Sequence, residues 1–176
     1  MRGYFAIGVE GSSKPHNLGN LVRSAHAFGA SYFFTVAPVV DVKSVRQTDT
    51  SDAFDHLPFY NFETPEALQL PRKCALVGIE LLEDSIELPS FRHPVRAAYV
   101  LGPERGNLSE AMIARCDYTI KIPMKFCVNV GVAGAIVMYD RLISMGKFAP
   151  RAVKAGAPTE FLPEHVQGGQ IIRSGK

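Results

Sequence analysis

Short apolar runs alternate with amphipathic ones along this chain. Tyr4–Val9 reads as a strand. Leu18, Leu21, Val22, Ala25 and Phe28 recur at helical spacing, which predicts a helix over 18–28 that ends at Gly29. The aromatic-rich segment Ser31–Val36 predicts the next strand, and the apolar runs Cys74–Ile79, Ala97–Leu101 and Tyr118–Ile122 predict three more. A last helix is expected from about Asn129 to Met145, with Val132, Ile136, Tyr139 and Ile143 along one face. Strands alternating with helices imply an α/β domain around a mostly parallel sheet flanked by helices. Such sheets bind ligands in the loops beyond the carboxyl ends of their strands. After Lys147 the periodicity fails. Pro150, Pro158 and Pro163, with Gly156, Gly168 and Gly169, predict an irregular tail. The expected organisation is one domain over 1–148 and a tail over 149–176.

Composition narrows the class. A chain of 176 residues, 47% hydrophobic and 20% charged, can bury one real core. No apolar run nears the roughly 20 residues of a membrane span. The apolar start, MRGYFAIGV, meets Glu10 at once, unlike a secretory leader, so a cytoplasmic protein is expected. Three scattered cysteines without CxxC spacing argue against a zinc site or a disulfide framework, and no metal is expected. Net charge is only +2, but it is uneven. Residues 121–176 carry eight basic against three acidic side chains, while 61–120 carry six against nine. A basic end suits either a polyanionic partner or a solvated tail.

Three loops could carry chemistry. The first, KPHNLGNLVRSAHAFG, places Asn17, Gly19, Asn20 and Arg23 where a loop enters a helix, a place suited to anions. Asn17 and Arg23 can converge if Asn17 lies in the loop and Arg23 on the first turns. The second, VLGPERGNLSEAM, turns tightly through Gly102, Pro103 and Gly106 after a strand, and Asn107 and Glu110 have the spacing of a capping box. It lacks GxGxxG spacing and the GK[ST] of a P-loop, which argues against dinucleotide-dependent oxidoreductases and nucleotide triphosphatases. The third, KIPMKFCVNVGVAGAIVMYDRL, stops a strand at Pro123 and begins a helix of small residues at Asn129, a polar group that needs partners if buried.

Together, in this order, the loops resemble the three motifs of the SpoU/TrmH branch of the SPOUT methyltransferases. Asn17, Gly19 and Arg23, followed by Phe28-Gly29, match the first motif. Gly102, Glu104 and Gly106 match the second, and Ile122, Pro123 and Asn129 the third. The likeness covers roughly residues 3–145. It implies an α/β fold with a C-terminal deep trefoil knot, a homodimer, S-adenosylmethionine as cofactor and RNA as substrate. It also implies that Arg23 activates the ribose hydroxyl or holds its phosphate, that Asn17 shapes the first loop, that Glu104 organises the second, and that Asn129 ties the loops near the methyl donor. Gly78, Gly102, Ile122, Cys127 and Val128 would surround the cofactor. Where the family commonly has Ser two residues before the third-motif Asn, this chain has Cys127, and its third loop is short.

The expected reaction is 2′-O-methylation of ribose in tRNA or rRNA, with tRNA favoured. Arginine holds its charge too firmly to be a ready base, so Arg23 is expected to act as electrostatic stabiliser and phosphate clamp before literal base. Lys14, Arg23, Arg46, Arg105, Arg141 and Lys147 are the expected phosphate contacts, with the tail residues Arg151, Lys154 and Phe161 as additions. A base-methylating SPOUT enzyme and an inactive RNA-binding knot protein remain open at this stage.

Overall fold

The computed structural model describes residues 3–40, 53–149, 151–152 and 154–156. Arg46, Phe161 and nearly all of the expected tail lie outside the described residues. Seven parallel strands form one sheet: β1 (Tyr4–Glu10), β2 (Tyr32–Val36), β3 (Phe59–Phe62), β4 (Ala75–Ile79), β5 (Ile86–Glu87), β6 (Arg96–Leu101) and β7 (Tyr118–Lys121). Their order is β3-β2-β1-β6-β4-β7-β5. Among the described residues the helices are α1 (Pro15–Ala27), the short α2 (Ala53–His56), α3 (Glu110–Arg115) and α4 (Val130–Met145), with a 3-10 turn at Leu88–Ser90.

Central strands buried on both faces read as continuous apolar runs, which is why β1, β2, β4 and β6 were legible. β3, with sequence FYNF at a sheet edge, and the two-residue β5 carry too little apolar pattern to stand out. One face of the sheet packs Ile7, Val9, Phe33, Val77 and Tyr99 against Leu18, Leu21, Val22 and Ala25 of α1 and Val137 and Met138 of α4. The other face packs Ala6, Phe34, Leu76, Ala98 and Val100 against Leu108 and Met112 beside α3.

Helix α1 buries the stripe expected of it, although it begins three residues earlier, with Pro15 in its first turn. Its end is a Schellman motif: Gly29 takes φ +75°, its N–H donates to His26 O, and the Ala30 N–H donates to Ala25 O. In α4 the apolar row Val132, Ile136, Tyr139 and Ile143 is not the buried side. Val132 and Tyr139 are exposed, and the buried side carries Gly131, Gly134, Val137, Met138 and Arg141. The helix is apolar nearly all round, so periodicity could not say which side faces in. Gly134 decides it, because a Cβ there would collide with Leu21 Cδ1.

Arg141 is likewise corrected from phosphate contact to core residue, only 6% exposed. Its guanidinium donates to Pro94 O at 2.6 Å, Val95 O at 3.0 Å, Tyr99 Oη at 3.1 Å and Tyr4 O at 3.4 Å. It also lies 5.3 Å from the Phe5 ring centroid. Beside it, buried His93 pairs with Tyr99 Oη at 2.6 Å and Asp140 Oδ2 at 2.9 Å. This cluster fastens α4 to the segment that leads into β6.

Two outcomes follow from the cluster. Arg141→Met leaves several buried oxygens without a donor and should cost about 3 kcal/mol, read as a lowered urea midpoint. Burial pushes the His93 imidazole down, and Asp140, which pulls the other way, does not restore it. The unfolded chain therefore binds the proton more readily. The contribution is complete above the ordinary histidine value of about 6.5 and is lost as pH falls below it. His93→Gln should flatten the fall in urea midpoint between about pH 7 and pH 5.

Candidate functional site

Register aligns the carboxyl ends of four strands. Val9 stands opposite Leu101, Leu101 opposite Ile79, and Ile79 opposite Ile120. The residues that follow, Glu10, Gly102, Glu80 and Lys121, therefore emerge along one edge. β6 enters between β1 and β4, so the first, second and third loops meet although they lie up to 112 positions apart.

The second loop folds back over this edge. A Cβ on Gly102 would sit 3.0 Å from Leu108 N and 3.1 Å from Asn107 C, so only glycine admits the return path. Two carboxylates hold it down. Glu80 Oε2 accepts the Leu108 N–H at 2.7 Å, and buried Glu10 accepts both the Ser109 N–H at 2.8 Å and its hydroxyl at 2.6 Å. Ser109 in turn caps α3, accepting from Met112 N. The capping box expected of Asn107 and Glu110 is thus corrected: the helix starts at Glu110, and Asn107 is exposed.

A chain of polar contacts ties all three loops. Glu104 accepts from Ser12 Oγ, from Ser13 N–H at 3.1 Å and Oγ at 3.0 Å, and from Asn17 Nδ2 at 3.3 Å. Asn17 Oδ1 accepts from Asn129 Nδ2 at 2.9 Å, and Asn129 Oδ1 accepts from Gly131 N at 2.8 Å, capping α4. Carboxylates only accept and backbone N–H groups only donate, so the two ends dictate how both amides point. Partial burial works to raise the Glu104 carboxyl, but donors from Ser13 and Asn17 outweigh it and hold it below the ordinary range.

Around this chain opens a cleft of about 460 Å³. Glu104, Asn17, Asn129, Gly102, Ile122, Cys127 and Val128 all line it, as does Lys14. Gly78 does not: a Cβ there would meet Cys116 Sγ at 3.0 Å and Leu108 Cδ1 at 3.2 Å, so this glycine makes room for the α3 side of the sheet. Burial pushes the Cys116 thiol up to about 11, which keeps it an inert packing group. The cleft wall beyond β4 comes instead from Ile79, Glu80 and Leu81. Glu80 and Glu10 were missed in the sequence. Their signal is a carboxylate placed directly after an apolar strand.

Arg23 does not join Asn17 in the cleft. Both lie on α1, six residues and roughly 240° apart around the helix. Arg23 is exposed and lines a second depression with Asn20, Phe28, Val132, Ile136 and Tyr139. Asn129 borders both hollows. Of the other expected phosphate contacts, Arg105 and Lys147 are exposed.

The cleft fits S-adenosylmethionine. Its volume suits a ligand of that size, Ile79, Leu101, Ile122 and Val128 offer apolar walls for a purine, and Glu80 provides acceptors for cationic or hydroxyl groups.

Comparison with known proteins bears on the same region. The family model described as the SpoU rRNA Methylase family matches residues 4–139. The tRNA (guanosine(18)-2′-O)-methyltransferase of Thermus thermophilus is 28% identical over 138 residues, covering 75% of this chain and 71% of that protein. The 23S rRNA (guanosine-2′-O-)-methyltransferase RlmB of Nitrosomonas europaea is 28% identical over 142 residues, covering 75% of this chain, which spans only about half (53%) of that relative. The crystal structure of the SpoU methyltransferase AviRb from Streptomyces viridochromogenes, in complex with the cofactor AdoMet, superposes with a TM-score of 0.70 at 25% identity, covering 84% of this chain and 60% of that one. With the family match spanning every strand of the sheet and all three cleft loops, this chain belongs to the SpoU rRNA methylase family.

Proposed function

We propose that the protein is an S-adenosylmethionine-dependent RNA methyltransferase that acts on a ribose 2′-hydroxyl, with tRNA favoured over rRNA as substrate. The observation that carries this reading is the Glu104–Asn17–Asn129 chain, which joins the three family motifs around one cleft. The 2′-O-methyltransferase names of the tRNA and rRNA relatives support ribose over base.

When bound, S-adenosylmethionine supplies an electrophilic methyl group on a sulfonium. The chain's own residues then have three tasks. The apolar walls orient the nucleoside part and exclude water. Glu104, ionised at neutral pH and pinned by four donors, keeps the first and second loops in register. Arg23 holds the RNA phosphate beside the target ribose and stabilises negative charge on its 2′-oxygen.

Arg23 stands outside the cleft in a single copy, and a homodimer resolves this. Helix α4 presents Val132 and Tyr139, 49% and 53% exposed, in the same depression as Arg23 and Asn129, with the partly buried Ile136 between them. A second copy covering this apolar face would bring Arg23 of one subunit towards the cleft of the other. The proposed topology includes the deep knot of the family. The family match over residues 4–139 supports it.

The functional reading is tested by incubating the protein with labelled S-adenosylmethionine and total tRNA or rRNA, then digesting the product for mass spectrometry. A 2′-O-methylated nucleoside is expected; a base-methylated nucleoside, or no product, overturns it. Arg23→Ala should lower turnover at least about a hundredfold while cofactor affinity by calorimetry stays within a few fold. Tyr139→Glu should convert a dimer to a monomer in sedimentation velocity and abolish methylation, without unfolding a side chain that is 53% exposed.

A further inference from the structure

We propose that Glu80 binds the vicinal ribose hydroxyls of the nucleoside cofactor. This rests on the reading of the cleft as an S-adenosylmethionine site.

Glu80 directly follows β4 and lines the cleft between Ile79 and Leu81. Its carboxylate is held from both ends. Oε1 accepts the Leu81 N–H at 2.9 Å, and Oε2 accepts the Leu108 N–H at 2.7 Å. Each carboxylate oxygen offers two lone-pair sites, so one acceptor site on each oxygen remains. Two free acceptors on a carboxylate that cannot rotate match two adjacent hydroxyl donors. Among the described residues no cation competes for them: Glu80 forms no ion pair, and Lys121 gives its Nζ to the carbonyl oxygens of Leu82 and Glu83.

Position selects the sugar over other donors on the ligand. Glu80 lies where Ile79, Leu81, Leu101 and Ile122 form the apolar wall that suits a purine. A sugar attached to that purine must lie within a bond or two of it. Glu104, the other carboxylate of the cleft, is occupied by Ser12, Ser13 and Asn17. Glu80 thus has a second role besides holding the Leu108 N–H, and the two can be separated experimentally.

The test is calorimetry on the full chain and its Glu80→Gln variant, which keeps one acceptor for the Leu108 N–H. The ligands are S-adenosylmethionine, 5′-methylthioadenosine, and 2′,3′-dideoxy-5′-methylthioadenosine. The variant should bind the first two about tenfold more weakly than the unaltered protein, because hydrogen bonds to a charged acceptor are lost. For the dideoxy ligand the two proteins should bind alike, as a double-mutant cycle requires of a direct contact. An equal loss with the dideoxy ligand would overturn the inference and leave Glu80 a loop anchor. A loss with S-adenosylmethionine but not with methylthioadenosine would overturn it in favour of the amino-acid ammonium. Unchanged affinity for all three sinks the inference alone. If the unaltered protein binds none of them, the cofactor reading falls and the inference with it.

Discussion

The hydrogen-bonded chain from Glu104 through Asn17 and Asn129 to the Gly131 N–H is the constraint around which the site is built. It starts at a group that can only accept and ends at a group that can only donate, so neither asparagine can flip without leaving a polar atom unpaired. It also crosses three loops that share no local sequence. Removing any member frees a motif, not just a side chain. The small residues at the start of α4 follow from the same arrangement: Gly131 lies 3.5 Å, measured from a hypothetical Cβ, from the Asn20 side chain of α1, so the two helices approach closely where the relay joins them.

A second set of carboxylates acts on the backbone. Glu10 and Glu80, at the ends of neighbouring parts of the sheet, take the consecutive N–H groups of Ser109 and Leu108. They do for the second loop what Asn129 does for α4, satisfying donors that a turn leaves unpaired at the sheet edge. The cleft is thereby walled by backbone that is held from below, a condition for positioning a reactant within a fraction of an ångström.

The far side of the molecule carries its own anchor. Arg141 spends its donors on backbone oxygens at the start of β1 and on Pro94, Val95 and Tyr99. The same helix that caps its N-terminus with a site residue therefore closes its C-terminal half on a buried cation. Its opposite face stays apolar and open, beside Arg23. One helix thus connects the cofactor cleft, the core and the surface proposed for a second subunit.

Much of this was legible in the amino-acid sequence. The strands of the sheet centre are buried on both faces and so are written as unbroken apolar runs. Helix α1 shows its buried stripe because its other face is polar. Motif residues Glu104 and Asn129 stand out because each is polar where the local pattern does not need polarity, and Asn17 stands out through its spacing to Gly19 and Arg23. Tertiary structure alone decided the rest. Which side of α4 faces in depends on Leu21 lying over Gly134, a contact between residues 113 positions apart. Whether Arg141 or Arg23 is exposed depends on which oxygens lie around it once the chain is folded, and an arginine reads the same in either place. Gly78 packs against Cys116 because α3 lies on that face, while Glu80 reaches the cleft because β6 sits between β1 and β4. Periodicity records the face a residue takes within its own element. It holds no record of the neighbour that the strand order sets beside it, and the site is made of such neighbours.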